Sequence, residues 1–406
     1  MSDRVVIIGG SHGAISVIET LRRLGFRGKL TLVSEERIPL YSPTALPYLL
    51  WDEEKGQRCL RPGEFYQGIK VIEEKAMGID PGKMAVHLRN GKKVHYDRLV
   101  IATGASAADH PIQAHGKNRP LTLRRSSDVF RIETRAKKGR HVLIVGASLI
   151  GLHLAQVFSE KGKQVSVIAR RRMLSSLIHP ELADFLKPLF ERKGIRISLG
   201  VSLSEIGERE VKLSNGETMR TDLVVTSVGI RSNVELIQGT SIAVKEGILV
   251  NERMETNLPG IYACGDVAEY RDFFTGESRL NPSVVSAAEQ GKCVAEHLMG
   301  KGNPHPGLIS IHTFNCCGLN LLSLGKRVPE PGDRILEVKD PEKMVYRRLI
   351  FSNGNLQGAI FLNTAVDGGI YYRLVREKVP VEGTEEKLLQ DPFLWGKRIA
   401  EKAFRQ

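Results

Sequence analysis

No apolar run in this sequence reaches the roughly 18 residues that a membrane-spanning helix needs. The opening stretch, MSDRVVIIGG, leads straight into a strand-like pattern. It lacks the cationic and apolar leader with a cleavage site that marks a secreted chain, so a cytoplasmic location is expected. Cysteine is scarce: Cys59, Cys264, Cys293, Cys316 and Cys317 are all there are. None forms a C-x-x-C pair or a zinc spacing, and a disulfide scaffold does not suit a chain of this length. No iron–sulfur ligand set is present and no metal site is read. The vicinal Cys316–Cys317 reads either as a redox pair or, more simply, as two small buried apolar residues in the strand-like HTFNCCGLNLLSLG. No basic stretch is interleaved with aromatics and no nucleic-acid motif occurs, so nucleic acid is not an expected partner.

What is present is 406 residues, too many for one core and suited to two or three domains, with a net charge of +13. The basic residues cluster in LRRSSD (123–128), RAKKGRH (135–141) and ARRRM (169–173). Such a surface attracts phosphates or acidic proteins, or is simply a solvated face.

Two stretches share one pattern. In RVVIIGGSHGAISVIETLRRLGFRGKLTLVSEER, the apolar run Val5–Ile8 reads as a buried parallel strand. A small-residue turn, Gly9 to Ala14, then opens a helix that runs to about Leu24, and a second strand follows at Leu30–Val33. The spacing Gly9-x-Ser11-x-x-Ala14 keeps small residues where a dinucleotide fold needs them. Gly9 makes the tight turn, Ser11 lets the backbone approach a pyrophosphate, and Ala14 lets helix and strand pack closely. The helix N-terminus offers N–H donors to phosphate, and Glu35 can accept hydrogen bonds from a ribose diol. Ser and Ala in place of glycines weaken the match, and an ordinary α/β turn is the plainer alternative.

The second stretch, GRHVLIVGASLIGLHLAQVFSEKGKQVSVIARRRM, repeats the pattern with Gly146-x-Ser148-x-x-Gly151. Two such units in one chain are far more specific than one. They point to two nucleotide cofactors and to electron transfer between them. Where an NAD site offers an acid, this unit has Ala169 followed by Arg170, Arg171 and Arg172. Guanidinium forks bind a 2′-phosphate, which leans the second site toward NADP(H), with NAD not excluded.

With these units placed, YDRLVIATGAS (96–106), TDLVVTSVGIRSN (221–233), GILVNERMETNLPGIYACGDVAEY (247–270) and SVVSAAEQGKCVAEHLMG (283–300) follow in a familiar order. Together they resemble the FAD-dependent pyridine nucleotide–disulfide oxidoreductase superfamily over residues 1 to about 300. The segment YSPTALPYLL and the tail IFLNTAVDGGIYYRLVREKVPVEGTEEKLLQDP are most similar to flavoprotein electron-transfer subunits of phenylglyoxylate and tungsten aldehyde oxidoreductase complexes. The resemblance implies an α/β fold with two Rossmann-like doubly wound domains and a C-terminal α+β interface domain. The expected division is an FAD-binding domain at 1–110 and 245–305, an NAD(P)-binding domain at 111–244, and a docking or dimerisation domain at 306–406.

The same resemblance implies site residues. Thr103, Gly104, Gly265 and Asp266 fall in the FAD fingerprints. His12 stands in the pyrophosphate turn, where similar oxidases have a histidine near the flavin; such a residue also serves as an ordinary hydrogen-bonding group. Ala76, Arg124, Val284, Gln290, Ile150 and Gly229 are carried over as further cofactor-binding positions. Many relatives have a cysteine where Thr44 stands. A hydroxyl forms neither a mixed disulfide nor a sulfenic acid, so those two chemistries are disfavoured. Ferredoxin-type reductases have a lysine and a glutamate where this chain has Tyr48 and His153. These two are expected to approach the flavin–nicotinamide junction and tune hydride transfer, with plain packing the alternative.

The implied activity is FAD-dependent NAD(P)H:acceptor oxidoreduction, with hydride exchanged with NAD(P) and single electrons passed to a ferredoxin-like iron–sulfur partner. A homodimer through the C-terminal domain is possible. The alternatives are a standalone NAD(P)H oxidase or disulfide reductase, or a non-catalytic flavin-binding protein.

Overall fold

The computed structural model describes residues 3–38, 40–51, 60–108, 110, 112 and 119–404; Cys59 lies outside them. The chain divides into two compact units. One comprises Met1–Ala45, Glu54–Ser106 and Ile230–Ile309; the other comprises Leu46–Glu53, Ala107–Gly229 and Ser310–Gln406. Residues 230–244 therefore group with the first unit, and the short helix α2 (Leu46–Trp51) groups with the second.

In the first unit the strand Arg4–Ile8 is exposed only at its first residue. A strand buried on both faces calls for parallel neighbours covered by helices. It pairs in parallel with Lys29–Ser34 on one side and Arg98–Ile101 on the other, and Ile261–Ala263 and Ile69–Glu73 complete the sheet. Helix α1 (His12–Arg23) buries Ala14, Val17, Ile18 and Leu21, the i, i+3, i+4, i+7 stripe of an amphipathic helix. It crosses α6 (Val284–Leu298) at very short range: a Cβ on Gly291 would stand 2.3 Å from the Gly13 carbonyl oxygen.

The second unit repeats the architecture. His141–Val145 is the middle strand of a parallel sheet ordered 195–199, 164–169, 141–145, 223–226 and 121–122, with α4 (Leu149–Glu160) following the central strand. The C-terminal region is antiparallel. Its sheet is ordered 311–316, 319–325, 355–362, 345–352 and 334–340. The hairpin at SNGN turns on Asn353 and Gly354, with φ of +50° and +71°. Both residues are left-handed, which matches the right-handed twist of the strands they join. Helix α7 (Gly368–Arg376) is capped by Asp367, whose carboxylate accepts from the N–H groups of Gly369 and Ile370, and α9 (Pro392–Phe404) closes the chain. Two parallel Rossmann-like sheets and a C-terminal α+β layer are thus the fold. Among the described residues no helix is long and apolar enough to cross a membrane.

Candidate nucleotide and redox sites

Gly9 follows the Arg4–Ile8 strand with φ +102°, and a Cβ there would lie 2.1 Å from the Ala102 carbonyl oxygen. Only glycine fits that turn. Ser11 occupies the N-cap of α1 in an extended conformation, yet its hydroxyl caps nothing, and the first turn carries no acidic residue. The positive end of α1 is therefore not offset by its own side chains, as a site for pyrophosphate requires. Ala14 is fully buried, and a Cβ on its neighbour Gly13 would meet Cys264 Sγ at 3.1 Å.

Glu35 stands just past the Lys29–Ser34 strand, 3.8 Å from Arg89 Nη1. That ion pair is exposed and weak. Ala76 opens the strand Ala76–Asp80 of a small antiparallel sheet.

Thr103 and Gly104 are held by Asn233. Thr103 Oγ1 donates to the Asn233 carbonyl at 2.9 Å, the Asn233 side-chain amide donates to the Thr103 carbonyl at 2.9 Å, and the Asn233 N–H donates to the Gly104 carbonyl at 2.9 Å. Asn233 was not singled out from sequence; its role rests on pairing across 130 positions of chain. Gly265 (φ +81°) donates its N–H to Gln290 Oε1 at 2.7 Å, and Gln290 Nε2 donates to Ser286 Oγ at 2.9 Å. Gln290 is buried, so it fixes the Gly265–Asp266 turn to α6 from within the core. Val284 is the first residue of α6 and is exposed. The Asp266 carbonyl accepts from Ser232 Oγ at 2.8 Å.

A chain of polar groups links α1 to the segment that carries Thr44. His12 Nε2 and Ser42 Oγ share a hydrogen bond of 2.8 Å, and Ser42 Oγ and Thr44 Oγ1 share another of 2.8 Å. Burial lowers the proton affinity of His12; the Asp266 carboxylate works against this and the Arg61 charge adds to it.

In the second unit, Gly146 has φ +111° and its Cβ would lie 2.2 Å from the Ser227 carbonyl oxygen. Gly151 has no room either: its Cβ would lie 2.1 Å from the Gly146 carbonyl oxygen. Ser148 caps α4, accepting from the Gly151 N–H at 3.2 Å, and its hydroxyl also meets Ser227 Oγ at 2.6 Å. Ile150 sits half-buried in the first turn of α4. Gly229 has φ +135°, and its carbonyl accepts from the Ala108 N–H at 3.0 Å. The backbone N–H of Arg124 donates to Asp128 of α3 (Ser126–Lys138) at 3.0 Å. Arg170 and Arg171 are exposed immediately beyond the Gln164–Ala169 strand. Burial, and after it the charge of Arg170, lowers the proton affinity of His110.

Tyr48 of α2 and His153 of α4 lie ring to ring, with centroids 5.6 Å apart and planes at 53°. His153 also packs on Phe314 at 4.9 Å and donates from Nε2 to the Asn315 carbonyl at 2.9 Å. That bond fixes the proton on Nε2 and leaves Nδ1 as the acceptor. Burial depresses the proton affinity of His153, with the Asn315 bond opposing, so the ring is neutral at physiological pH. Phe314 and Asn315 are partners that sequence reading did not supply, because they come from the C-terminal sheet.

The vicinal cysteines differ from the simpler expectation. Cys316 is buried, but Cys317 is half-buried and lies in the hairpin turn with φ +55°. Among the described residues no cluster of three or more histidine, cysteine or acidic side chains is arranged to hold a metal.

The NADH-dependent phenylglyoxylate dehydrogenase subunit epsilon of Aromatoleum evansii is 26% identical over 416 residues, covering 99% of this chain and 98% of that protein. The NADH-rubredoxin oxidoreductase of Clostridium acetobutylicum is 29% identical over 330 residues, 80% of this chain and 82% of that protein. Among solved structures, the ferredoxin reductase for the CYP199A2 system from Rhodopseudomonas palustris superposes with a TM-score of 0.83 at 27% identity, covering 89% of this chain and 91% of that one. The pyridine nucleotide-disulphide oxidoreductase family matches residues 3–291. The chain belongs to that family, whose members work with FAD and NAD(H), and it is an oxidoreductase of the ferredoxin-reductase type.

Proposed function

We propose that this chain is the flavoprotein component of a larger redox system, exchanging hydride with NAD(P) and single electrons with an iron–sulfur carrier on a separate protein. The observation that carries this reading is the hydroxyl chain His12–Ser42–Thr44. A hydrogen-bonded alcohol occupies the place where a redox thiol would stand, so two-electron sulfur chemistry has no nucleophile there. Bound FAD supplies the step that side chains cannot, accepting two electrons together and releasing them one at a time.

The rest falls to the chain's own residues. The first unit holds FAD: Gly9, Ser11 and Ala14 seat the pyrophosphate, Glu35 takes the ribose, and Thr103, Gly104, Gly265 and Asp266 complete the cradle that Asn233 and Gln290 brace. The second unit holds the nicotinamide dinucleotide: Gly146, Ser148 and Gly151 form the turn, and Arg170 and Arg171 bind a 2′-phosphate. Tyr48 and His153 border the nicotinamide and orient it. His153 remains neutral and holds its proton on Nε2. The near full-length match to a subunit of a phenylglyoxylate dehydrogenase supports a place in a comparable complex. The basic surface suits an acidic ferredoxin-like partner, and residues 306–406 are a candidate surface for self-association.

The test is anaerobic. The purified flavin-loaded protein is reduced with NADH or NADPH and then offered a ferredoxin, oxygen or a small disulfide. Bleaching of the yellow colour by NAD(P)H, followed by reduction of the ferredoxin well above the oxygen rate, is expected. Strong turnover with oxygen alone replaces this reading with that of an oxidase. Failure to bleach removes catalysis altogether.

A further inference from the structure

The vicinal thiols Cys316 and Cys317 take no part in the proposed electron transfer. The strand Ile311–Cys316 turns back into Leu319–Gly325, with Cys316 paired to Leu319. The turn is the dipeptide Cys317–Gly318, whose φ values are +55° and +81°. A two-residue hairpin of this type wants Asn, Asp or Gly at its first position. A cysteine there carries the strain of a left-handed conformation, which marks the position for a functional explanation.

The tip is tied to α4 at successive points. The Asn315 carbonyl accepts from His153 Nε2 at 2.9 Å, Cys316 Sγ lies 3.6 Å from the Leu152 carbonyl oxygen, and the Cys317 N–H donates to Gln156 Oε1 at 3.0 Å. The two sulfurs are 3.8 Å apart.

We propose that Cys316 and Cys317 form a thiol–disulfide exchange site for small organic disulfides, with Cys317 as the attacking sulfur and Cys316 as the resolving one. The half-buried Cys317 is the one a small molecule can reach, while Cys316 is covered. The same asymmetry holds for their protons. The Cys316 S–H, donated to Cys317, favours the Cys317 thiolate, burial opposes it, and the Lys193 charge adds to it. Cys316 is pushed the other way by that same contact and by its burial.

The chemistry balances without another reagent. The Cys317 thiolate attacks one sulfur of RSSR; a Cys317–SR bond forms, the RS–SR bond breaks, and RS⁻ leaves. Cys316 gives its proton to that thiolate and attacks the Cys317 sulfur. A Cys316–Cys317 bond forms and the second RS⁻ leaves, taking a proton from solvent. The small disulfide is reduced to two thiols and the pair is oxidised. Neighbouring Cα atoms are about 3.8 Å apart, below the roughly 4.4–6.8 Å of ordinary disulfides, so the bond is strained and easily reopened by thiols.

Closing that bond brings the sulfurs to about 2.05 Å and drags the turn against α4. Oxidation therefore shifts Asn315 and Phe314, which hold His153. The effect on hydride transfer rests on the role proposed above for His153; the exchange chemistry does not.

The experiment uses the full-length flavin-loaded protein and oxidised glutathione, read by peptide mass spectrometry. Wild type should gain an internal Cys316–Cys317 disulfide with no lasting adduct. Cys316→Ser should stop at a glutathione adduct on Cys317, and Cys317→Ser should show neither product. An unmodified Cys317 in Cys316→Ser, or wild-type adducts at Cys264 or Cys293 in its place, overturns the site. In a second arm, oxidised wild type should be reduced by NADH about tenfold more slowly, because displacements on the order of 1 Å beside a reacting group cost up to about a hundredfold. Dithiothreitol should restore the rate, and the doubly substituted Cys316→Ser/Cys317→Ser protein should not respond. A disulfide that forms with no change in rate overturns the link to His153. A protein that forms the disulfide but binds no flavin sinks the proposed function instead.

Discussion

Replacing Gly151 by alanine adds one methyl group at the start of α4, and its position decides the outcome. The new Cβ would stand 2.1 Å from the Gly146 carbonyl oxygen and 3.4 Å from Ile144 Cγ2. Comfortable contacts lie near 3.5–4.0 Å, so the first turn of the helix must retreat from the glycine turn by more than about 1 Å. In an exposed helix interior the change from glycine to alanine gains about 1 kcal/mol. Overpacking costs about 1–3 kcal/mol, and a backbone carbonyl has no rotamer to escape into, which places this case at the upper end. The net loss is about 2 kcal/mol, or a fall of roughly 4–8 °C in melting temperature for a unit of some 200 residues. Gly162→Ala is the control: its φ is +72° but nothing lies within 4 Å of the added methyl. It bears only the left-handed strain, about 1–2 kcal/mol. Circular dichroism should show Gly151→Ala melting below wild type, and nucleotide titrations should show it as the only one of the two that loses NAD(P)H affinity. A Gly151→Ala protein that melts with wild type, or keeps its affinity, refutes the reasoning that this close approach shapes the nucleotide turn.

Arg170→Ala/Arg171→Ala should raise the KM for NADPH by about tenfold or more while moving that for NADH little, since a charge-assisted pair to phosphate is worth about 1.5–3 kcal/mol. Equal effects on both cofactors would discard the phosphate assignment. Gln290→Leu strips the Gly265 N–H of its acceptor inside the core, costing about 1–3 kcal/mol; faster release of FAD on dilution is the expected sign. Tyr48→Phe combined with His153→Ala should slow the NADH-driven bleaching measured by stopped flow, and an unchanged rate would reduce the pair to packing. For pH, burial and then the Arg327 charge hold His312 at about 4, below the free value of 6.5. The unfolded chain therefore binds the proton first, so this contribution is complete above pH 6.5 and is lost as pH falls toward 4. His312→Gln should flatten the acid limb of a urea stability curve; an unaltered slope would exclude that histidine.

Both nucleotide folds could be read from sequence because their signals are local. A buried strand, a glycine at its end and a helix with small residues in its first turn lie within a few dozen positions, and Gly9 and Gly146 leave room for no other residue. The Asn353–Gly354 pair between two strands is a local signal of the same kind. Asn233, Gln290, Phe314 and Asn315 carry no such mark. Each earns its place from a partner supplied by another part of the chain, as Asn233 does with Thr103 and Phe314 with His153. The division of the chain is also a long-range property. The segment Leu46–Trp51 follows the first nucleotide fold in sequence, but it packs with α4, because its Tyr48 ring faces His153.

That placement bears on how the second unit works. Helix α4 begins at a turn shaped for a dinucleotide, carries His153 one turn further on, and is gripped at Leu152, His153 and Gln156 by the tip of a C-terminal hairpin. A helix held at both its nucleotide end and its flank cannot change one set of contacts without loading the other. The C-terminal hairpin meets the ring of His153 twice, through the Asn315 carbonyl and the Phe314 ring, and the proposed exchange at Cys316 and Cys317 would act on His153 through these two contacts. Substituting Asn315 would not break this link, since the bond is to its backbone, whereas His153→Phe would. In that variant the rate of hydride transfer should become indifferent to whether the vicinal thiols are oxidised, and a persisting response would mean that the coupling runs through the Phe314 ring or Gln156 instead.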